Sequence, residues 1–239
     1  MNTPEKIGAF FDLDGTLLAP PSLEWRFIGY LLERDEITAA KVARWIATST
    51  KTFLSHGWHA ALANKSYLAG IHESVVEEWG NTIVLGSLPL FTKGIDGMRW
   101  HLERGHRVVL VTGTLAPLAR AMAHHFPNGL EVRATELATK DGRFTGRLLG
   151  AHLSFDEKAR VVREEAAAFD ISLAHSFAYG NEMSDVAMLK TVGHPVAVNP
   201  SSRLKHEAQK RGWAVHSWSD LGEEEIQTSN AALAPEEAR

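Results

Sequence analysis

Ile7-Gly8-Ala9-Phe10-Phe11-Asp12-Leu13-Asp14-Gly15-Thr16 decides the fold. Its first five residues are apolar or small and give way abruptly to Asp-x-Asp-Gly. That pattern predicts a short buried strand ending in a tight turn. In open α/β sheets, ligands bind outside the carboxyl ends of the strands, so both carboxylates would project into a site. Two acids one residue apart can divide the labour of a displacement, one attacking while the other moves a proton. An Asx-type turn that merely ends a strand would use the same residues.

Working outward, similar apolar runs recur at Val108-Val109-Leu110-Val111, Ser176-Phe177-Ala178-Tyr179 and Pro195-Val196-Ala197-Val198. Helical patterns separate them, at about Gly94–Arg104, Leu115–Phe126, Phe155–Phe169, Ser184–Thr191 and Ser202–Arg211. Strands alternating with helices predict a doubly wound, Rossmann-like α/β core with a parallel sheet covered on both faces. Two stretches break the rhythm. Residues 19–87 show no strand pattern and read as amphipathic helices, with Trp25, Ile28, Leu31 and Leu32 spaced for one face. They predict an all-helical cap inserted after the first strand, leaving residues 1–18 and 88–222 as the core. Within Arg133–Leu148, Asp141-Gly142 suits a tight hairpin turn between two short strands.

Three more segments fall at the ends of core strands or helices. Thr112-Gly113-Thr114 follows the strand ending at Val111 and offers a hydroxyl and backbone N–H groups to a phosphate. A plain helix cap explains it equally well. Lys158 opens the pattern Glu157–Phe169, where a lone lysine ordinarily faces solvent. Gly180-Asn181-Glu182-Met183-Ser184-Asp185 follows the strand ending at Tyr179 and supplies the oxygen ligands that magnesium prefers.

Taken in order, these four segments resemble the haloacid dehalogenase-like superfamily, and the cap's position resembles its phosphoserine phosphatase-like subgroup, subfamily IB. The resemblance spans about residues 6–218. It implies a phosphomonoester hydrolase acting on a small phosphorylated metabolite with Mg2+ as cofactor. Asp12 would attack phosphorus to give an aspartyl-phosphate. Asp14 would protonate the leaving alcohol and then activate water. Thr112, Gly113 and Lys158 would hold the phosphoryl group. The metal would sit among Asp12, Asp14, Asn181 and Asp185. Asn181 stands where the family usually has an aspartate, so the site carries one negative charge fewer, with Glu182 next door as a potential substitute. A phosphotransferase or mutase would use the same motifs, and a catalytically impaired binding module would be consistent with Asn181. Phosphoserine phosphatases place a glutamate shortly after the nucleophile loop; the equivalent here is Pro21, and Glu24 is expected to face solvent on the first cap helix.

Composition narrows the rest. With 44% apolar and 23% charged residues and no cysteine, the chain is an ordinary globular protein that excludes disulfides and thiolate chemistry. No apolar run approaches the length of a membrane span. The N-terminus has no signal-like pattern, which leads us to expect a cytoplasmic protein. Residues 223–239 hold five glutamates against Arg239, and the remainder carries 24 acidic and 24 basic side chains. A neutral body with an acidic, expectedly disordered tail has no electrostatic footprint for nucleic acid. Trp25, Trp45, Trp58 and Trp79 fall in the cap and read as helix-bundle core, with a pocket for a larger or amphiphilic phosphomonoester as the alternative. His56 and His59 have a metal-compatible spacing but no third ligand, and Asn199-Pro200-Ser201 reads as a helix cap or a loop reaching the site.

Overall fold

The computed structural model describes residues 5–85 and 88–219, without the side chains of residues 56, 58, 59 and 83–85. The acidic stretch 223–239 and the side chains of His56, Trp58 and His59 therefore lie outside the described residues. The first half comprises β1 (Gly8–Phe11), α1 (Leu23–Glu33), α2 (Ala39–Ala63), α3 (Ser74–Leu85), α4 (Thr92–Glu103) and β2 (Arg107–Leu115). The chain continues through α5 (Ala116–Met122), β3 (Glu131–Thr135), β4 (Leu137–Lys140), β5 (Arg143–Leu148) and α6 (Asp156–Phe169). It closes with β6 (Phe177–Gly180), α7 (Val186–Leu189), β7 (His194–Val198), α8 (Ser202–Arg211) and β8 (Ala214–His216).

The main sheet has the order β3-β2-β1-β6-β7-β8 and is parallel throughout. It is the expected doubly wound α/β core. From β1 the chain winds outward one way through β2 and β3, then returns to fill the other side from β6. The winding direction thus reverses between β1 and β6, the place where such sheets leave a crevice. Alternation sorts the strand residues between two layers. Phe10, Val109, Val111, Ala178 and Ala197 pack with Val162, Met188, Leu189 and Leu204 on one face. Phe11, Leu110, Val196 and Val198 pack with Met98, Leu118 and Met122 on the other. Burial on both faces explains why these strands read as unbroken apolar runs.

Helices α1–α3 occupy the stretch predicted to be helical. The buried face of α1 is Leu23, Phe27, Ile28 and Leu31. Trp25, assigned to that face by spacing, lies off it and is 48% exposed. Helix α2 breaks at Gly57, whose φ of 81° takes it out of the helical region. Helix α3 packs closely on α5, since a Cβ at Gly80 would fall 2.9 Å from the Ala121 Cβ. The hairpin β4–β5 turns at Asp141 and Gly142, both with positive φ, as the dipeptide predicted. Gly70 and Glu73 N–H donate to carbonyls of Phe144 and Gly142, and the Phe144 N–H returns to Ile71, stitching this hairpin to the helical stretch.

Two strands were not expected. Strand β3 mixes Glu131 and Arg133 with apolar residues because it is a sheet edge, and β8 is three exposed residues long. The stretch expected as one helix from Leu115 begins a residue later and is shorter, because Thr112–Leu115 stays extended. There β2 shifts register against β3 between Val111 and Leu115.

Candidate active site

Parallel pairing sets the site's geometry. Phe11 lies level with Leu110 on β2 and with Tyr179 on β6. One or two residues further on, Asp12, Thr112 and Asn181 leave three neighbouring strand ends together. The Asp12 N–H still donates to the Tyr179 carbonyl at 2.9 Å. Beyond it the chain curls tightly: the N–H groups of Thr16, Leu17 and Leu18 all reach the Leu13 carbonyl. Gly15 is required twice over. Its φ is 85°, and a Cβ would fall 2.0 Å from the Asn181 Nδ2.

A buried ion triad forms the centre. Lys158 Nζ lies 2.6 Å from Asp12 Oδ1 and 2.6 Å from Asp185 Oδ1. The solvated surface position that a lone lysine would ordinarily take is not what the fold gives: Lys158 is 2% exposed. Burial pushes the Asp12 carboxyl up to about 7, opposed by the adjacent ammonium. Burial works against the Lys158 charge as well, yet Asp12 and Asp185 outweigh it and raise its pKa. Asp185 Oδ2 accepts the N–H groups of Asn181 and Glu182, both at 3.0 Å, so this carboxylate ties the lysine to the β6 loop.

Asp14 points elsewhere. Its Oδ1 accepts the Leu23 N–H at 2.7 Å and its Oδ2 accepts the Thr114 hydroxyl at 2.5 Å. Burial raises its pKa above the ordinary carboxylate value, against those two hydrogen bonds. Asp12 and Asp14 thus differ in their partners: one lies beside a fixed cation, the other is held by neutral donors, and burial raises both.

Thr112 is buried, and its Oγ1 accepts the Thr114 N–H at 3.1 Å. Thr112 therefore lies in the bulged end of β2, four residues ahead of α5, and not at the helix terminus itself. Gly113 lies against the 150–155 loop, where a Cβ would come 2.8 Å from His152 Cε1. Its carbonyl accepts the Thr135 hydroxyl.

Oxygen donors converge beside Asp12. Thr16 Oγ1 donates to Asp12 Oδ2 at 3.1 Å and lies 3.4 Å from Asn181 Oδ1. No group of three His, Cys, Asp or Glu gathers for a metal among the described residues. The Asp12 carboxylate and the Asn181 carboxamide, drawn together on the Thr16 hydroxyl, offer oxygen ligands alone, which fits magnesium, an ion that takes few carboxylates and keeps several waters. Both Asp185 oxygens are engaged by protein donors, so its observed contacts are those of a brace. Glu182 is exposed and caps the turn that follows it, so it does not stand in for the missing aspartate charge.

Spacing alone missed several participants. Thr16 and Thr114, the hydroxyls on Asp12 and Asp14, sit inside segments that had been singled out for their neighbours. Glu24 does not face solvent: Lys65 Nζ lies 2.8 Å from each of its oxygens and the Tyr67 hydroxyl donates at 2.7 Å. Asn199, one reading of which reached the site, instead holds Trp218 by two backbone hydrogen bonds, while Ser201 caps α8.

This geometry agrees with comparisons to known proteins. The family model for haloacid dehalogenase-like hydrolases matches residues 9–190. A probable phosphatase of Mycobacterium tuberculosis is 31% identical over 237 residues, covering 90% of this chain and 76% of the relative. The phosphoserine phosphatase SerB1 of the same organism is 32% identical over 221 residues, covering 88% of this chain and 70% of its own. A protein of unknown function from Bordetella pertussis Tohama I superimposes with a TM-score of 0.74 at 28% identity, over 89% of this chain and 98% of that one. On the strength of that match and those relatives, the chain belongs to the haloacid dehalogenase-like hydrolases, in their phosphatase branch.

Proposed function

We propose that the protein hydrolyses a small phosphomonoester in a magnesium-dependent reaction through a phosphorylated Asp12. The observation that carries this reading is the division of the two aspartates. Asp12 is set against a buried ammonium, while Asp14 is held by Thr114 and the start of α1. An Asp12 oxygen attacks phosphorus and the bond from phosphorus to the alcohol oxygen breaks. Asp14 gives that oxygen its proton. Water then attacks the acyl phosphate, Asp14 takes the water's proton, and the bond from phosphorus to Asp12 breaks to release inorganic phosphate. Lys158 and the Thr112–Gly113 segment hold the phosphoryl oxygens, and such positioning with charge neutralisation supplies most of the catalysis in phosphoryl transfer.

Asp12, the Asp14 carbonyl and Asn181 would hold the magnesium, with Asp185 bracing the loop. Bound there, the ion supplies the positive charge that lets a carboxylate approach a phosphate dianion. Helices α1–α3, as the cap over residues 19–87, would enclose the alcohol.

Phosphate release from an aryl phosphate across a magnesium titration tests the proposal. Release should require magnesium and vanish in Asp12→Asn; metal-independent release, or release that survives in Asp12→Asn, would overturn it. Asn181→Asp restores the missing charge, so half-maximal activity should move to roughly tenfold lower magnesium, about 1.4 kcal/mol. An unchanged titration would remove Asn181 from the metal site.

A further inference from the structure

A groove of about 330 Å3 opens between α1 and α2, and its lining reads as a substrate subsite. Its walls are Trp25 and Ile28 of α1 with Trp45, Ile46 and Phe53 of α2. Its polar end is Glu24 and Lys65. That end lies toward Asp14: Leu23, one residue before Glu24, donates its N–H to Asp14, whose carboxyl also feels the Glu24 charge. The volume lies in the range of small-ligand sites, about 300–1,000 Å3.

The tryptophans divide between two roles. Trp79 is core, 4% exposed and packed on Phe27 and Tyr30. Trp25 and Trp45 meet with ring centroids 5.8 Å apart, and Trp25 is 48% exposed. Ile46, 44% exposed, continues the apolar wall. Large apolar side chains gathered around one groove, and not scattered over the surface, mark a binding surface.

The polar end discriminates by charge. Lys65 is 3% exposed and engages both Glu24 oxygens, with Tyr67 as a third partner. The Glu24 carboxylate at the polar end of the groove is therefore already neutralised by the protein's own ammonium. A substrate ammonium would have to displace Lys65 or lie beside it, and either leaves a cation poorly paired at a buried position.

We infer that this groove receives the alcohol portion of the substrate, and that the alcohol is an uncharged, extended apolar group and not an amino acid. The inference rests on the phosphatase reading for the position of the phosphate, and the groove supplies the rest. Each methylene entering the groove should tighten binding about fourfold, from ~0.8 kcal/mol per buried CH2.

The test separates binding from turnover. Affinities of n-alkylphosphonates from ethyl to decyl, which are not hydrolysed, are measured calorimetrically on the full chain with magnesium, alongside O-phosphoserine. Kd should fall about fourfold per methylene until the groove is filled, and long-chain phosphonates should bind far more tightly than phosphoserine. Trp25→Ala and Trp45→Ala should flatten that dependence. Leu54→Ala, on the same helix but outside the groove, should leave the slope as it is. Lys65→Met should tighten phosphoserine about tenfold by freeing Glu24. A Kd independent of chain length, or phosphoserine binding more tightly than every phosphonate in the wild type, would overturn the inference. Because the phosphonates report binding alone, that result would stand whether or not the aryl phosphate is hydrolysed.

Discussion

The sheet end and the helical stretch above it each bury a lysine between oxygen partners, but they assemble those contacts differently. At the sheet end, parallel pairing brings three strand ends level, so Asp12, Thr112 and Asn181 inherit their places from backbone hydrogen bonds. Lys158 then arrives from the first turn of α6 to close the triad. In the helical stretch, Glu24 comes from α1 while Lys65 and Tyr67 come from the turn after α2. No strand register aligns them; side-chain packing does. Backbone-defined geometry suits chemistry that must stay within tenths of an ångström, and packing-defined geometry suits a surface that selects among alcohols.

Breaking the two lysine contacts should expose the difference. Lys158→Met leaves Asp12 and Asp185 buried without a counter-ion, which should cost about 3–5 kcal/mol of stability. Activity should be lost as well. Lys65→Met leaves one carboxylate that keeps Tyr67 and some solvent access, and should cost about 1–3 kcal/mol. Urea unfolding of both variants checks the order, and equal losses would remove the distinction. Thr114→Val sharpens it within the catalytic end. Deleting one hydrogen bond to the Asp14 carboxyl, worth about 1.5–3 kcal/mol, should lower kcat by roughly 10- to 100-fold. KM should change little, and Thr114→Ser should restore the rate.

A pH-dependent effect lies beneath the sheet end. His101 is fully buried, contacting His106 at 2.8 Å and the Tyr179 hydroxyl at 2.9 Å. Burial, with His106 and Arg104 adding to it, holds its pKa at about 4 against an ordinary 6.5. The unfolded chain therefore binds this proton first, so stability should decline as pH falls from 6.5 toward 4 and level off below. His101→Gln should shallow that decline in a pH series of urea midpoints. A curve identical to wild type would assign the acid sensitivity to other groups.

Strand-end chemistry was legible because it is local. A buried strand announces itself as an apolar run, and the residue types that follow it mark the candidate site. The parallel sheet, the order of its motifs and the Asp141-Gly142 turn all followed from short windows. What escaped depends on contacts across the chain. Lys158, marked only by the family resemblance, looks solvated on spacing alone until α6 is placed over β1. Glu24 looks exposed until Lys65, far along the sequence, is packed against it. Strand β3 escaped for a related reason: as a sheet edge it carries Glu131 and Arg133, so it lacks the apolar run of a central strand. Trp25 and Trp45 share their residue type with Trp79, and only packing separates wall from core.

The central claim is that Asp12 carries the phosphoryl group. Wild-type protein mixed with an aryl phosphate and magnesium, quenched in acid within the first turnover and mapped by peptide mass spectrometry, tests it directly. The account predicts a phosphoryl group on Asp12 and none in Asp12→Asn. Phosphate released with the phosphoryl group on another residue, or with no phosphorylated protein at any time point, would contradict it.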